Sequence, residues 1–500
     1  MLNTKVQVYM YLLKKSILTV TLIILTSPIF GQNNTVISDL PYPSEITDTL
    51  GVLKRNTLQT TAIIFSTNMG VWAFDKYITK GEYANISLST IRSNLKTGFV
   101  WDTDRFSTNL LAHPYHGGLY YNAARSNGLN YWQSVPFVAG GSLMWEFCME
   151  NEPASINDYI ATTIGGVCLG ELTFRISDLL IDNRAVGFDR FGREALLTLI
   201  SPIRGLNRIL NGDVKKHSNI RGNSIRSTPT TFNAMLGHRI IAANTQKQQD
   251  IGNMLCYDLG LNYGNAFDEE NDNPFDFFTF KLSGNLFSQQ PIVSRVHVLG
   301  MIYSKTIHLR NPNRQMELGV FQHFNFFQST AEINNETLRP FKMSEAASVG
   351  PGILYKNKIR KNINFSSSAH LSGILLGGSQ TDYYRFDNRD YNLGSGFSSK
   401  LNFGLEFKNK FSVSLDMADF RIYTWLGYDP ADIDNINSNA QGDIGNSSLS
   451  VAKLNFNYIF NKHIVISTET IYYNRRTSYK YYSNVEHNVY ENKFNVGYIF

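Results

Sequence analysis

The sequence predicts an α+β membrane protein: a C-terminal antiparallel transmembrane β-barrel of about twelve strands, preceded by an N-terminal α-helical domain. Three observations predict it. Apolar and polar residues alternate with period two over most of 229–500, the period before that is helical, and the first segment has the layout of an export signal.

Composition agrees with this class. With 43% hydrophobic, 13% aromatic and only 17% charged residues, the chain is too apolar for disorder, and 500 residues leave room for a helical domain beside a large barrel. Cys148, Cys168 and Cys256 show no zinc-like or C-x-x-C spacing and read as small buried hydrophobes.

The first segment carries Lys5, Lys14 and Lys15 without an acid, an apolar run from Ile17 to Leu25, and small and polar residues at Gly31-Gln32. That run is shorter than the ~20 residues of a membrane span, so 1–31 reads as a cleavable signal peptide. No cysteine follows to carry a lipid anchor. Losing the three lysines takes the formal charge from +5 to +2, which removes the basic excess that would suggest nucleic acid.

In the barrel region (229–500), Phe278, Phe280, Leu282, Gly284 and Leu286 alternate with Thr279, Lys281, Ser283 and Asn285. Leu454, Phe456, Tyr458 and Phe460 alternate with Lys453, Asn455 and Asn457, and the turn Asn461-Lys462 leads to a partner strand near His463. Strands of this length exceed the five or six residues typical of a soluble sandwich and fit the ~9–11 of a tilted membrane strand. Short connectors at Lys356-Asn357-Lys358 and Lys408-Asn409-Lys410 alternate with long polar ones at 376–392, 429–447 and 476–486, as in outer-membrane barrels. The final strand, with Tyr490, Phe494, Val496, Tyr498 and Phe500 on one face, resembles the signal by which such barrels are assembled. The expected partners are therefore outer-membrane lipid and, through the strand ending at Phe500, the barrel assembly machinery. The inward positions either wet a pore or pack against a plug.

Upstream, a lead segment (32–84), partly helical, precedes a helical domain (85–212) and a linker (213–228). Residues 126–145 carry no charge, yet Asn127, Asn130, Gln133 and Ser134 are costly in hydrocarbon. Gly140, Gly141, Ser142 and Gly166-x-x-x-Gly170 point to close helix packing instead. Ser155 with Asp158 caps a helix running to about Leu180, on which Glu171, Arg175 and Asp178 form a salt-bridging stripe. Asp102, Arg105, Asn109, His113 and His116 share one helical face, interrupted by Pro114.

The motifs Trp101-Asp102-Thr103-Asp104-Arg105-Phe106, His113-Pro114-Tyr115-His116-Gly117-Gly118 and Tyr120-Tyr121-Asn122-Ala123-Ala124-Arg125 resemble those of the domain of unknown function (DUF) 3943 family. The resemblance continues through Trp145-Glu146, Glu150, Ser155-x-x-Asp158 and Gly170-Glu171, and covers roughly 85–205. It implies a secreted, outer-membrane protein of Bacteroidetes-like bacteria and no established activity.

Candidate catalytic residues are His113, His116, Glu146, Glu150, Asp158 and Glu171; candidate ligand-binding residues are Asp102, Arg105 and Asn109. The sequence lacks His-Glu-x-x-His and paired Glu-x-x-His motifs, so no metal or other cofactor is expected. The preferred reading is an outer-membrane barrel with a structural or solute-passage and binding role. Its helical part serves as a plug, a periplasmic domain or a platform on the barrel's open end. The alternative is a lipid- or glycan-modifying enzyme using His113 and His116 with nearby carboxylates and Ser126, Ser134 or Ser142 as nucleophile, although no Gly-x-Ser-x-Gly elbow is present.

Overall fold

The computed structural model describes residues 55–500, apart from 102–103, 218–227, 246–247, 270, 288–289, 330, 334–335, 339–340, 385–389 and 433–441. The signal segment, residues 32–54 of the lead segment and Asp102 lie outside the described residues.

The period-two stretches become β1 (Thr230–Thr245), β2 (Gln248–Tyr263), β3 (Phe278–Leu286), β4 (Arg295–Thr306) and β5 (Arg314–Gln328). A small ribbon, β6 (Ala331–Ile333) and β7 (Glu336–Leu338), follows. The sheet then resumes with β8 (Lys342–Arg360), β9 (Ile363–Gln380), β10 (Tyr391–Phe407), β11 (Phe411–Thr424), β12 (Gly445–Ile459), β13 (Ile464–Tyr479) and β14 (Val485–Ile499). The ribbon apart, these strands form a closed antiparallel barrel of twelve, each paired with its neighbours and β1 with β14. The closing seam runs from Asn233 opposite Ile499 past Arg239 opposite Lys493.

Alternation sorts the two faces. On β14, Tyr490, Phe494 and Val496 are exposed on the outside, while Glu491, Lys493 and Asn495 between them are buried inside. Phe397, Phe403, Leu405, Leu415, Leu454 and Phe456 continue the exposed apolar belt around β10 to β12, the face a transmembrane barrel turns to lipid. Lys408 and Asn409 both adopt positive φ, 54° and 52°, and make the tight reversal expected there. The other expected connector, Lys356-Asn357-Lys358, lies inside β8, opposite Ser366, Phe365 and Asn364 of β9, and the turn falls at 361–362. The lysines mark where the apolar belt ends, while the backbone ladder continues past it.

The helical part comprises α1 (Thr57–Phe74), α2 (Leu88–Thr97), α3 (His113–Ser126), α4 (Tyr131–Cys148), α5 (Ile156–Ile160), α6 (Gly166–Leu180), α7 (Gly187–Ile200) and α8 (Pro202–Leu210). Among these described helices, none is long and apolar enough to cross a membrane. Asn130 caps α4 in a reciprocal box with Gln133, so two polar side chains of the uncharged segment satisfy the helix start. A π-helical turn, Thr108–Ala112, runs directly into α3. Its wider hydrogen-bonding accommodates Pro114, which has no N–H to give and would crowd an α-helical carbonyl at Leu110. A second π-turn, Ala161–Gly165, joins α5 to α6. Of the three free cysteines, Cys168 and Cys256 are buried and Cys148 is half-buried.

The helices pack on the outer wall of the barrel. Phe106, Leu110, Tyr121 and Val167 share one core with Leu261, Phe278, Val296, Val298, Phe324 and Phe326. Those strand residues alternate with Lys281, Arg295, His297, His323 and Asn325, which line the lumen. Polar ties cross the same seam: Asn109 donates to Tyr391 Oη at 2.9 Å, Tyr131 donates to Gln322 at 2.9 Å, and Gln322 donates to the Ile164 carbonyl at 3.0 Å. Farther along, Leu180, Ile181, Leu196 and Leu197 cover Ala234, Tyr257 and Leu259 of β1 and β2. The lumenal cavities are lined by strand and turn residues, with none from a described helix. The expected plug or end-docked platform is thereby corrected. The outward face of β1 to β5 carries buried aromatics that need a protein partner, and the helices supply it.

Helices α3 and α6 meet backbone to backbone. A Cβ on Gly117 would lie 1.8 Å from the Thr162 carbonyl oxygen, and one on Gly166 would lie 2.6 Å from Gly117 Cα. Gly140, on the exposed side of α4, has nothing within 4 Å. Gly117→Ala is expected to destabilise the domain by about 1–3 kcal/mol through overpacking. Gly140→Ala should stabilise it by about 0.5–1 kcal/mol through helix propensity. Thermal unfolding of the two variants in detergent checks the opposite signs.

Candidate functional site

Two places gather functional side chains: the barrel lumen and one corner of the helical domain. Inside the barrel, inward residues form a paired charge layer. Arg239 contacts Glu491 at 2.6 Å, Lys493 contacts Asp258 at 3.0 Å, Lys453 contacts Asp416 at 2.8 Å, and Lys400 contacts Glu345 at 2.9 Å. Between these pairs lies a cavity of about 450 Å³, lined by Lys281, Arg295, Lys356, Lys400 and Lys453, by His297, His323 and His370, and by one carboxylate, Asp416. The His323 and His370 rings lie 5.3 Å apart, and all four of their nitrogens are buried without a hydrogen-bond partner. The cavity continues through shared lining residues into a space of about 570 Å³ bounded by Asn409 and Lys410, at the short-turn end.

Toward the long-loop end the lumen is shut by the barrel's own side chains. Phe327, Met343, Ile374, Phe420, Leu449 and Ile471 belong to one buried apolar cluster drawn from strands around the barrel. The inward residues read from sequence, Lys281, Ser283, Lys453, Asn455 and Asn457 among them, do line the cavities. The apolar septum went unread. Its members occupy inward positions on the long-loop half of the strands, where an apolar residue looks like an interruption of the pattern.

In the helical domain, His113 opens α3, Glu146 lies in the last turns of α4, and Asp158 lies in α5. One ligand-type atom from each falls within 4.8 Å of the other two, and His113 Nε2 is 3.6 Å from Asp158 Oδ1. The loop before α5 is fixed by backbone bonds from Val100 to Ala154 and from Ile156 to Val100, at 2.8 and 3.0 Å. Ser155 caps α5, accepting the Asp158 N–H at 3.2 Å, and gives its own N–H to Glu146 Oε2 at 2.8 Å. The Asn157 amide donates to Asp158 Oδ1 at 2.9 Å.

The other sequence candidates disperse. His116 pairs with Tyr120 Oη at 2.9 Å and sits edge-on to Trp145; Tyr120 donates in turn to Asn68. Burial, and then the neighbouring His113, hold its imidazole down at about 3, which makes it a poor general base at neutral pH. Glu150 accepts from Trp145 Nε1 at 2.6 Å. Asn109 docks on the barrel. Half-buried Arg105 offers its carbonyl to the N–H groups of Thr108 and Asn109. A hydrolase arrangement needs a serine hydroxyl bonded to an imidazole. Ser134 instead donates to the Asn130 carbonyl, and the hydroxyls of Ser126 and Ser142 are buried without a partner.

Glu171 is the centre of a separate clamp. Its carboxylate accepts from Tyr121 Oη, Arg125 Nε and Arg175 Nε at 2.8, 2.8 and 2.7 Å, and Arg175 reaches on to Asp276 at 3.0 Å. Of the stripe read from sequence, Asp178 turns instead to Arg204, at 2.5 Å. Burial alone would push the Glu171 carboxyl up, but the two guanidiniums reverse that and hold it at about 2. Glu171→Gln is expected to cost about 3–5 kcal/mol, because it leaves Arg125 and Arg175 without their anion. A depressed carboxylate contributes stability above its ordinary value of 4.5 that is lost as pH falls toward about 2. Unfolding scans between pH 7 and 3 should show an acid-side loss in the wild type that is shallower in Glu171→Gln.

Among solved structures, the chain is similar to the NanC porin, at 13% identity and a TM-score of 0.25, covering 53% of this chain and 98% of that one. The KdgM porin follows at 8% and 0.22 over 53% and 98%, and OmpT, an outer membrane protein of Vibrio cholerae, at 9% and 0.22 over 55% and 99%. No curated protein matches the sequence. Residues 98–203 match the family model described as domain of unknown function DUF3943. The matched segment holds His113, His116, Glu146, Glu150, Asp158 and Glu171, and it is carried on the outer wall of a closed twelve-stranded barrel.

Proposed function

We propose that this is an outer-membrane protein whose lumen is a chamber for a small anionic solute, entered from the short-turn end and shut from the long-loop end by the apolar septum. The observation that carries the reading is the lining of the 450 Å³ cavity: five cationic side chains and three imidazoles against one carboxylate. Lys400 and Lys453 are balanced by Glu345 and Asp416, and Glu469, 3.5 Å from Lys453, offsets one further cation, so a smaller surplus is shared among Lys281, Arg295 and Lys356. A cleft with one sign of charge and low-dielectric walls concentrates ions of the other sign. Its volume lies in the range of small-molecule pockets. The exposed apolar belt and the closed ladder support residence in a bilayer, and the export signal read from the sequence points to the outer membrane.

The test has two parts. The protein should fractionate with outer membranes and migrate faster on gels before heating than after; a freely soluble periplasmic protein would sink the reading. In planar bilayers the wild type should show no steady current, whereas Phe327→Ala with Phe420→Ala should open an anion-selective conductance. A double variant that keeps its heat-modifiable fold yet stays closed, or conducts cations preferentially, counts against an anion chamber behind a septum.

A further inference from the structure

We infer that His113, Glu146 and Asp158 bind one divalent transition-metal ion, with Zn²⁺ the fitting probe, at a site in the helical domain separate from the lumen. Three elements that are distant in sequence bring one nitrogen and two carboxylates together within 4.8 Å. Metal–ligand bonds of about 2.0–2.2 Å place neighbouring ligand atoms ~3–4 Å apart. The 3.6 Å between His113 Nε2 and Asp158 Oδ1 already has that spacing.

The surroundings point the same way. Glu146 and Asp158 are 2% and 4% exposed, so both carboxylates meet the imidazole in a place closed to bulk water. The carboxylates are also fixed by hydrogen bonds, Glu146 Oε2 from the Ser155 N–H and Asp158 Oδ1 from the Asn157 amide, the outer-shell support that orients metal ligands. The π-turn directly before His113 and the one that follows α5 are distortions that concentrate at functional sites, and each shifts the helical register that aims these side chains. The His113 side chain is 13% exposed against 6% for that of Asp158, so the edge at His113 is the way in, and a water would complete the coordination there. One imidazole and two carboxylates suit Zn²⁺ or Mn²⁺ better than Ca²⁺, which takes six to eight oxygens.

The experiment uses untagged full-length protein in detergent, stripped with a chelator and titrated with Zn²⁺, with Mn²⁺ and Ca²⁺ in parallel. The expected result is one Zn²⁺ per chain by elemental analysis. His113→Gln and Asp158→Asn should each weaken binding at least as much as the ~10–100-fold that loss of an outer-shell partner costs. Their heat-modifiable migration serves as the folding control. In case a variant does not fold, Co²⁺ on the wild type is a second readout, expected to give d–d absorption bands of a nitrogen- and oxygen-ligated ion that Zn²⁺ displaces. Absence of a stoichiometric ion, Zn²⁺ affinity unchanged in folded variants, Ca²⁺ binding as tight as Zn²⁺, or no displaceable Co²⁺ spectrum would each overturn the site.

Discussion

The pairing of β1 with β14 is the constraint on which the rest depends. Hydrocarbon offers no partner to a backbone N–H or C=O, so a sheet in a bilayer must have no free edge. The seam from Asn233 to Ile499 supplies the last ladder, and with it every strand acquires an inside and an outside. Closure also makes the alternation binding. A slip of one residue along any strand would carry Glu491 and Lys493 into lipid and Phe494 into the lumen.

A barrel of twelve strands is wide enough that its interior must be settled explicitly. This chain does so in two layers. Toward the long loops, Phe327, Met343, Phe420 and Ile471 meet across the axis and exclude water. Below them, charges are paired from strand to strand, Lys453 to Asp416 and Lys493 to Asp258, so the cost of desolvating each ion is offset by its neighbour. The imidazoles of His323 and His370 line the cavity itself, beside Lys400. The helical domain is not needed to fill the lumen.

The sequence is most informative where a rule is local. Phe278 to Leu286 alternate visibly, Asn461-Lys462 makes a turn, and Ser155 caps a helix; each depends on a few adjacent residues. It is less informative where two rules overlap. Lys356 and Lys358 look like a turn because they are polar, yet the ladder carries them as strand residues. Phe327 and Phe420 break the polar-inside pattern because their partners lie across the barrel. The sorting of His113, Glu146 and Asp158 from His116, Glu150 and Glu171 depends on which residues meet in space, and no spacing in the chain encodes it. Asn109 shares a helical face with His113, but Tyr391, hundreds of residues away, decides its role.

The outer wall carries a second code that sequence periodicity hides. An outward position in a membrane barrel is ordinarily apolar, as Phe397, Phe403, Leu405, Leu415, Leu454, Phe456, Phe494 and Val496 are on β10 to β14. Under the helices the outward set includes Gln322 and Tyr391, whose polar groups lipid would leave unsatisfied and which Tyr131, Ile164 and Asn109 satisfy. It also includes Gly378, where a Cβ would lie 2.3 Å from Leu110 Cδ1, so the wall is recessed to receive a helix side chain. Removing the helices would expose an amide, a phenol and a notch where neighbouring strands present smooth hydrocarbon. One side of this barrel's outer face is therefore built for protein and the rest for lipid. That division, which period-two alternation alone cannot express, holds the helical domain beside the barrel with its own buried ion clamp at Glu171 and its His113, Glu146 and Asp158 corner intact.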